Sequence, residues 1–93
     1  MQDSSEVTEE ELERLERLCD AATKGPWKSW LEGRDHWGGS HVIIDGEGDD
    51  IELSGTAATP ANHDFIAAAR QAVPRLIAEI RALRQSKSNT KRG

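Results

Sequence analysis

A single cysteine, Cys19, rules out any disulfide within the chain. Scaffolds stapled by crossed disulfides are therefore excluded, and a reducing compartment is expected. No apolar run approaches the roughly 20 residues needed to span a bilayer. The opening MQDSSEVTEEE lacks both a basic start and an apolar stretch, so no signal peptide is read there. The expectation is a soluble, cytoplasmic protein without a membrane partner. Aromatic residues are scarce: one phenylalanine, no tyrosine and three tryptophans. Familiar catalytic signatures are missing too. There is no G-x-S-x-G, no P-loop, no dinucleotide-binding glycine pattern and no H-E-x-x-H. Binding without catalysis, and without a cofactor, is the expectation that follows.

What is present fits one small α+β unit. The chain has 93 residues and a net charge of −5. That charge is unevenly spread. Residues 1–24 carry 3 basic and 8 acidic groups, and residues 25–64 carry 2 and 8. Residues 65–93 reverse the balance, with 7 basic groups and 1 acidic. A basic third could attract nucleic acid. The net acidity opposes that at long range, so pairing with the acidic first helix, or with a neighbouring subunit, is expected instead.

Thr8 and Glu11 form a capping box, with Val7 and Leu12 spaced as a hydrophobic staple. Leu12, Leu15, Leu18, Cys19 and Ala22 then recur on one helical face, which Gly25-Pro26 ends. Cys19 is read as a core thiol. Three short runs follow, WKSWLE (27–32), HVIID (41–45) and DIEL (50–53), which predict a small antiparallel sheet. DGEGDD between the last two reads as a hairpin turn. It departs from the EF-hand pattern at Asp50 and Thr56, so no calcium loop is expected.

Thr59 and Pro60 open the last helix. Ile66, Ala69, Val73, Leu76, Ile80 and Leu83 step by threes and fours, which is a coiled-coil seam, widened by Phe65 and Ile77. Pro74 predicts a kink, or a break into two helices. The fold expected is an N-terminal helix and a long, Pro-kinked C-terminal helix packed on about three strands. Residues 1–85 form the domain, and 86–93 a disordered basic tail. A homodimer or higher oligomer is expected through Ile66, Val73, Leu76, Ile80 and Leu83.

Two stretches carry a resemblance: Ala21-Ala22-Thr23-Lys24-Gly25-Pro26-Trp27, and the run from Asp64 to Arg84. With E-G-R-D-H at 32–36 and D-D-I-E-L-S-G at 49–55, the chain resembles a group of small proteins of bacteria, phages and prophages. The resemblance implies a phage or prophage setting, hence a host cytoplasm. It also implies a protein that binds and disables something of the host.

The chemistry concentrates in WLEGRDHWGGSH, residues 30–41. Trp30 and Trp37 either offer faces for stacking on a base or pack as core. Arg34 offers a forked donor for phosphate, or else pairs with Asp35 across the turn. Asp35 can accept from a ribose hydroxyl, and His36 and His41 can donate or accept. Trp27 reads rather as core, and His63 as part of a helix start. The spacing of His36 and His41 matches no metal-ligand motif, so no metal is expected. The ligand-binding set is therefore Trp30, Arg34, Asp35, His36, Trp37 and His41. The function expected is sequestration of a small anionic nucleotide-derived ligand, such as an immune signalling nucleotide. The alternatives are an inhibitor or adaptor gripping a host protein through its helices, and a small hydrolase using the histidines.

Overall fold

The computed structural model describes residues 6–92, with side chains described through residue 87. Helix α1 spans Glu9–Ala21. It begins where the capping box places it: the Glu11 amide donates to Thr8 Oγ1 at 3.0 Å. Glu9, Glu10 and Glu11 fill the first turn, where the helix dipole favours negative charge. Strands β1 (Lys28–Trp30), β2 (Val42–Ile44) and β3 (Asp50–Ile51) form an antiparallel sheet in that order. Register sets Trp30 opposite Val42, and Ile43 between Ser29 and Ile51. A 3-10 turn, Gly55–Ala57, leads into helix α2, Pro60–Arg92. The expected α+β architecture is the one the chain adopts.

The β2–β3 connection is a hairpin turn closed on one carboxylate. Asp45 Oδ1 accepts from the amides of Glu47 and Asp49, each at 2.9 Å. Gly48 takes the left-handed φ of 88° that the turn requires. Gly46 does something different. Its amide donates to the Lys24 carbonyl at 2.9 Å, and a Cβ there would strike the carbonyl oxygens of Lys24 and Gly25. The hairpin is thus pressed against the segment leaving α1, which contains a cis Gly25-Pro26 bond.

Helix α2 starts as read, with the Asn62 amide donating to Thr59 Oγ1 at 3.1 Å. The break considered at Pro74 does not occur: Pro74 lies inside one continuous helix. One missing amide leaves the rest of a 33-residue ladder intact. The helical backbone continues to Arg92. The tail expected to be disordered, 86–93, lies partly outside the described residues, namely the side chains of 88–92 and Gly93.

Two structures share α2. The sheet covers its first turns, and α1 lies antiparallel against its middle. Buried Leu12, Leu31, Ile43, Ala67 and Ile77 form the core. Leu12, Ile43 and Ile77 each contribute about 1.5–3 kcal/mol by leaving water. The row of α2 that meets α1 is Arg70, Pro74, Ile77, Arg81 and Arg84. Arg70 donates to the carbonyls of Thr23 and Cys19. Arg81 pairs with Glu9 at 2.8 Å and Glu16 at 2.7 Å, and Arg84 donates to the Val7 carbonyl. The basic third thus pairs with the acidic helix inside one chain.

That row lies one residue after the expected seam. Of the seam residues, Leu76 is 57% exposed and Leu83 60%, while Ile66, Ala69, Val73 and Ile80 are half-buried. Phe65, read as widening the seam, is 74% exposed. Cys19 is half-buried in the contact between the helices rather than fully inside. Among the described residues, no helix is long and apolar enough to cross a membrane.

Candidate functional site

The loop between β1 and β2 is built around one carbonyl. Leu31 O accepts the amides of Arg34, Asp35 and His36 at 3.2, 2.8 and 3.3 Å. Asp35 closes the turn from the other side, its Oδ2 accepting the Leu31 amide at 2.8 Å. That amide first, and Arg34 second, hold the Asp35 carboxyl below its ordinary value. Asp35 is therefore occupied in shaping the loop.

Arg34 is occupied as well. Its guanidinium donates to Asp35 Oδ2 at 3.1 Å, to both oxygens of Asp64 at 3.2 and 3.3 Å, and to Ser29 Oγ at 3.0 Å. Ser29 in turn donates to Asp64. The forked donor thus grips a carboxylate of this same chain, at the start of α2. Hydrogen bonds from Ser29 first and Arg34 second hold the Asp64 carboxyl low, and Asp35 then Asp64 raise the Arg34 guanidinium. The clamp ties the loop, β1 and α2 together.

Trp30 and His36 do come together. Their rings stack with centroids 5.7 Å apart and planes 9° from parallel. Lys28 Nζ stands 4.9 Å from the Trp30 ring centroid, a cation–π distance. His36 Nε2 lies 3.0 Å from the Ser40 carbonyl. A carbonyl only accepts, so Nε2 carries the proton and Nδ1 is left as the acceptor in the neutral ring. Beside this stack opens a cavity of about 410 Å³. Val42 and Ile44 floor it, Gly38–Ser40 rim it, and Asp50 and Glu52 supply its acidic wall.

His41 is elsewhere. Along β2, side chains alternate between the two faces of the sheet. Val42 and Ile44 face the cavity, so His41 and Ile43 face α2. There His41 Nδ1 accepts the Glu32 amide at 3.1 Å, and its ring meets buried His63 edge-on at 5.5 Å. A second hollow of about 360 Å³ lies beside His41, bounded by Glu32, Leu53 and Ala58. His63 Nδ1 donates to the Thr59 carbonyl at 2.6 Å, and its buried Nε2 has no partner among the described residues. Among those residues no cluster of three or more His, Cys, Asp or Glu could hold a metal ion.

Trp37 projects into solvent, 80% exposed, and joins neither cavity. Trp27 is an anchor. Its amide donates to Gln71 Oε1 at 2.6 Å, its carbonyl accepts from Gln71 Nε2 at 3.1 Å, and its indole donates to the Thr23 carbonyl. The six residues read from the sequence thus divide: Trp30 and His36 on the cavity, Arg34 and Asp35 in the clamp, His41 on the inner face, Trp37 in solvent. Asp50 and Glu52 join the cavity, and Lys28 stands over its Trp30 wall, without having been read from the sequence. Alternation along β1 places Lys28 beside Trp30, which is the signal that could have found it.

Compared with protein-family models, with curated proteins and with solved structures, the chain matches none.

Proposed function

We propose that this chain is a non-enzymatic binding protein that sequesters a small nucleotide-derived anion on the outer face of its sheet. The observation that carries the reading is the Trp30–His36 stack beside an open cavity, with Lys28 over the indole. A base extends the stack, a sugar hydroxyl or base amine donates to Asp50 or Glu52, and Lys28 takes the phosphate. Arg34, whose donors already serve Asp35, Asp64 and Ser29, is assigned to holding the loop. The phage or prophage resemblance supports a host-made signalling nucleotide as the ligand, captured in the host cytoplasm. Self-association through Ile66, Val73, Leu76, Ile80 and Leu83 belongs to the same proposal. It leaves each copy its own cavity.

The test is a tryptophan-fluorescence titration with adenosine monophosphate, adenosine and inorganic phosphate, followed by chromatography of the recovered nucleotide. Saturable quenching by the monophosphate is expected. Trp30→Ala should abolish that quenching, and Lys28→Ala should weaken the monophosphate more than adenosine. Recovery of unchanged nucleotide separates sequestration from hydrolysis. If no mononucleotide quenches at millimolar concentration, or if Trp30→Ala binds as well as the parent, the reading fails.

A further inference from the structure

Both helices carry an apolar stripe one residue before the row that joins them. On α1 the contact row is Leu12, Glu16 and Cys19, and the apolar residues one before it are Leu15 and Leu18, with Glu11 at the head of the same line. On α2 the row from Arg70 to Arg84 is preceded at every step by Ala69, Val73, Leu76, Ile80 and Leu83, and Ile66 continues that stripe toward the helix start. One residue is a turn of about 100°. The helices run antiparallel, Glu9 meeting Arg81 and Cys19 meeting Arg70. Antiparallel helices are related by a local twofold axis perpendicular to the plane they share. An equal offset on each therefore puts both stripes on the same side of that plane. Leu18, Leu76 and Leu83, each more than half exposed, lie on this one face.

We infer that a second copy of this chain covers this face, with the two α2 helices side by side and parallel, and each α1 flanking. The argument builds on the proposed self-association and is independent of the ligand. In heptad terms, Ile66, Val73 and Ile80 fall at a, and Ala69, Leu76 and Leu83 at d. β-Branched residues at a with leucine at d favour two parallel strands. The flanking charges agree. Glu79, the single acidic group of residues 65–93, falls at g, and Arg84 falls at e, five positions on. In a parallel pair, g faces the partner's e at that spacing, so Glu79 of each copy meets the partner's Arg84 twice over. The contact row and the stripe stand about 100° apart around α2. That is close to the right angle between neighbours in a four-helix bundle, so α1 does not block the partner. From Ile66 to Leu83 the stripe runs about 26 Å. It ends where α1 begins, Arg84 lying on Val7.

The test is sedimentation equilibrium of the full chain, with oxidative crosslinking of Leu83→Cys in a Cys19→Ser background. A dimer at low micromolar concentration is expected, with Leu83→Cys crosslinking in high yield because d positions meet across a parallel seam. Glu79→Arg should weaken the dimer roughly tenfold, and Glu79→Arg with Arg84→Glu should restore it. Leu76→Asp should leave monomers. A parent chain that stays monomeric at high micromolar concentration overturns both the self-association and the geometry. A dimer that fails to crosslink through Leu83→Cys, or that is indifferent to Glu79→Arg, overturns the parallel arrangement alone.

Discussion

Gly46→Ala should be among the most damaging single-methyl changes this chain can suffer. The added Cβ would enter space held by the carbonyl oxygens of Lys24 and Gly25. Both are backbone atoms, so no side chain can swing aside to relieve the clash. Relief must come from separating the β2–β3 hairpin from the segment that leaves α1. That movement also lengthens the 2.9 Å bond from the Gly46 amide to Lys24. Overpacking costs about 1–3 kcal/mol and a lost hydrogen bond about 1 kcal/mol, giving about 2–4 kcal/mol. Small domains hold about 5–15 kcal/mol in all. Urea unfolding followed by tryptophan fluorescence should show the midpoint falling by roughly 1–3 M. Gly48→Ala is the control: nothing lies within 4 Å of its Cβ, and only the φ of 88° opposes it. That strain costs about 1–2 kcal/mol. If Gly46→Ala proves no worse than Gly48→Ala, the close approach is not what fixes the hairpin.

Arg34→Ala and Asp64→Asn should each lower the melting temperature, and the double variant should lose little more than either, because both break one clamp; additive losses in a thermal-unfolding cycle would refute a shared role. Stability should fall as pH drops below about 4. Asp35, Asp45 and Asp64 all have folded carboxyls held below their ordinary value; their contribution is complete above the unfolded value and lost as pH falls through the folded one. For Asp45 the leading cause is the Asp49 amide, then that of Glu47, so Asp45→Asn should flatten part of the acid limb in a pH series of urea melts. Gln71→Ala should cost about 1.5–3 kcal/mol by urea unfolding, since the side chain bonds both the amide and the carbonyl of Trp27; a neutral outcome would mean the strand start is held by Arg70 and Thr23 alone.

Local chemistry made much of the fold legible. A threonine three residues before a glutamate caps α1, and Gly-Asp punctuation marks the hairpin, because each acts within a few residues of itself. Which face of α2 packs inward was not legible. The periodic rule selects the most apolar row, whereas the row that meets α1 sets the guanidinium groups of Arg70 and Arg81 on either side of Pro74 and Ile77. The site divides in the same way. Trp30 ends β1 and His36 lies in the loop that follows it, close enough in sequence to be found there. The partner that occupies Arg34 lies 30 residues on, and only the packing of β1 on α2 brings Asp64 beneath it. His41 illustrates a missed local rule: once Ile43 is taken as core, alternation along the strand sends His41 to the same inner face.

The turn gathered on the Leu31 carbonyl has a consequence for Trp37. Three amides and a carboxylate fix the backbone from Leu31 to His36 before anything arrives. The exposed indole therefore hangs from a stiff support. A partner that captured it would immobilise two side-chain torsions and little main chain, so most of the contact energy would survive as affinity. Loosening the support by Asp35→Ala would tax every such encounter with the entropy of ordering a loop, even though Asp35 itself touched nothing of the partner.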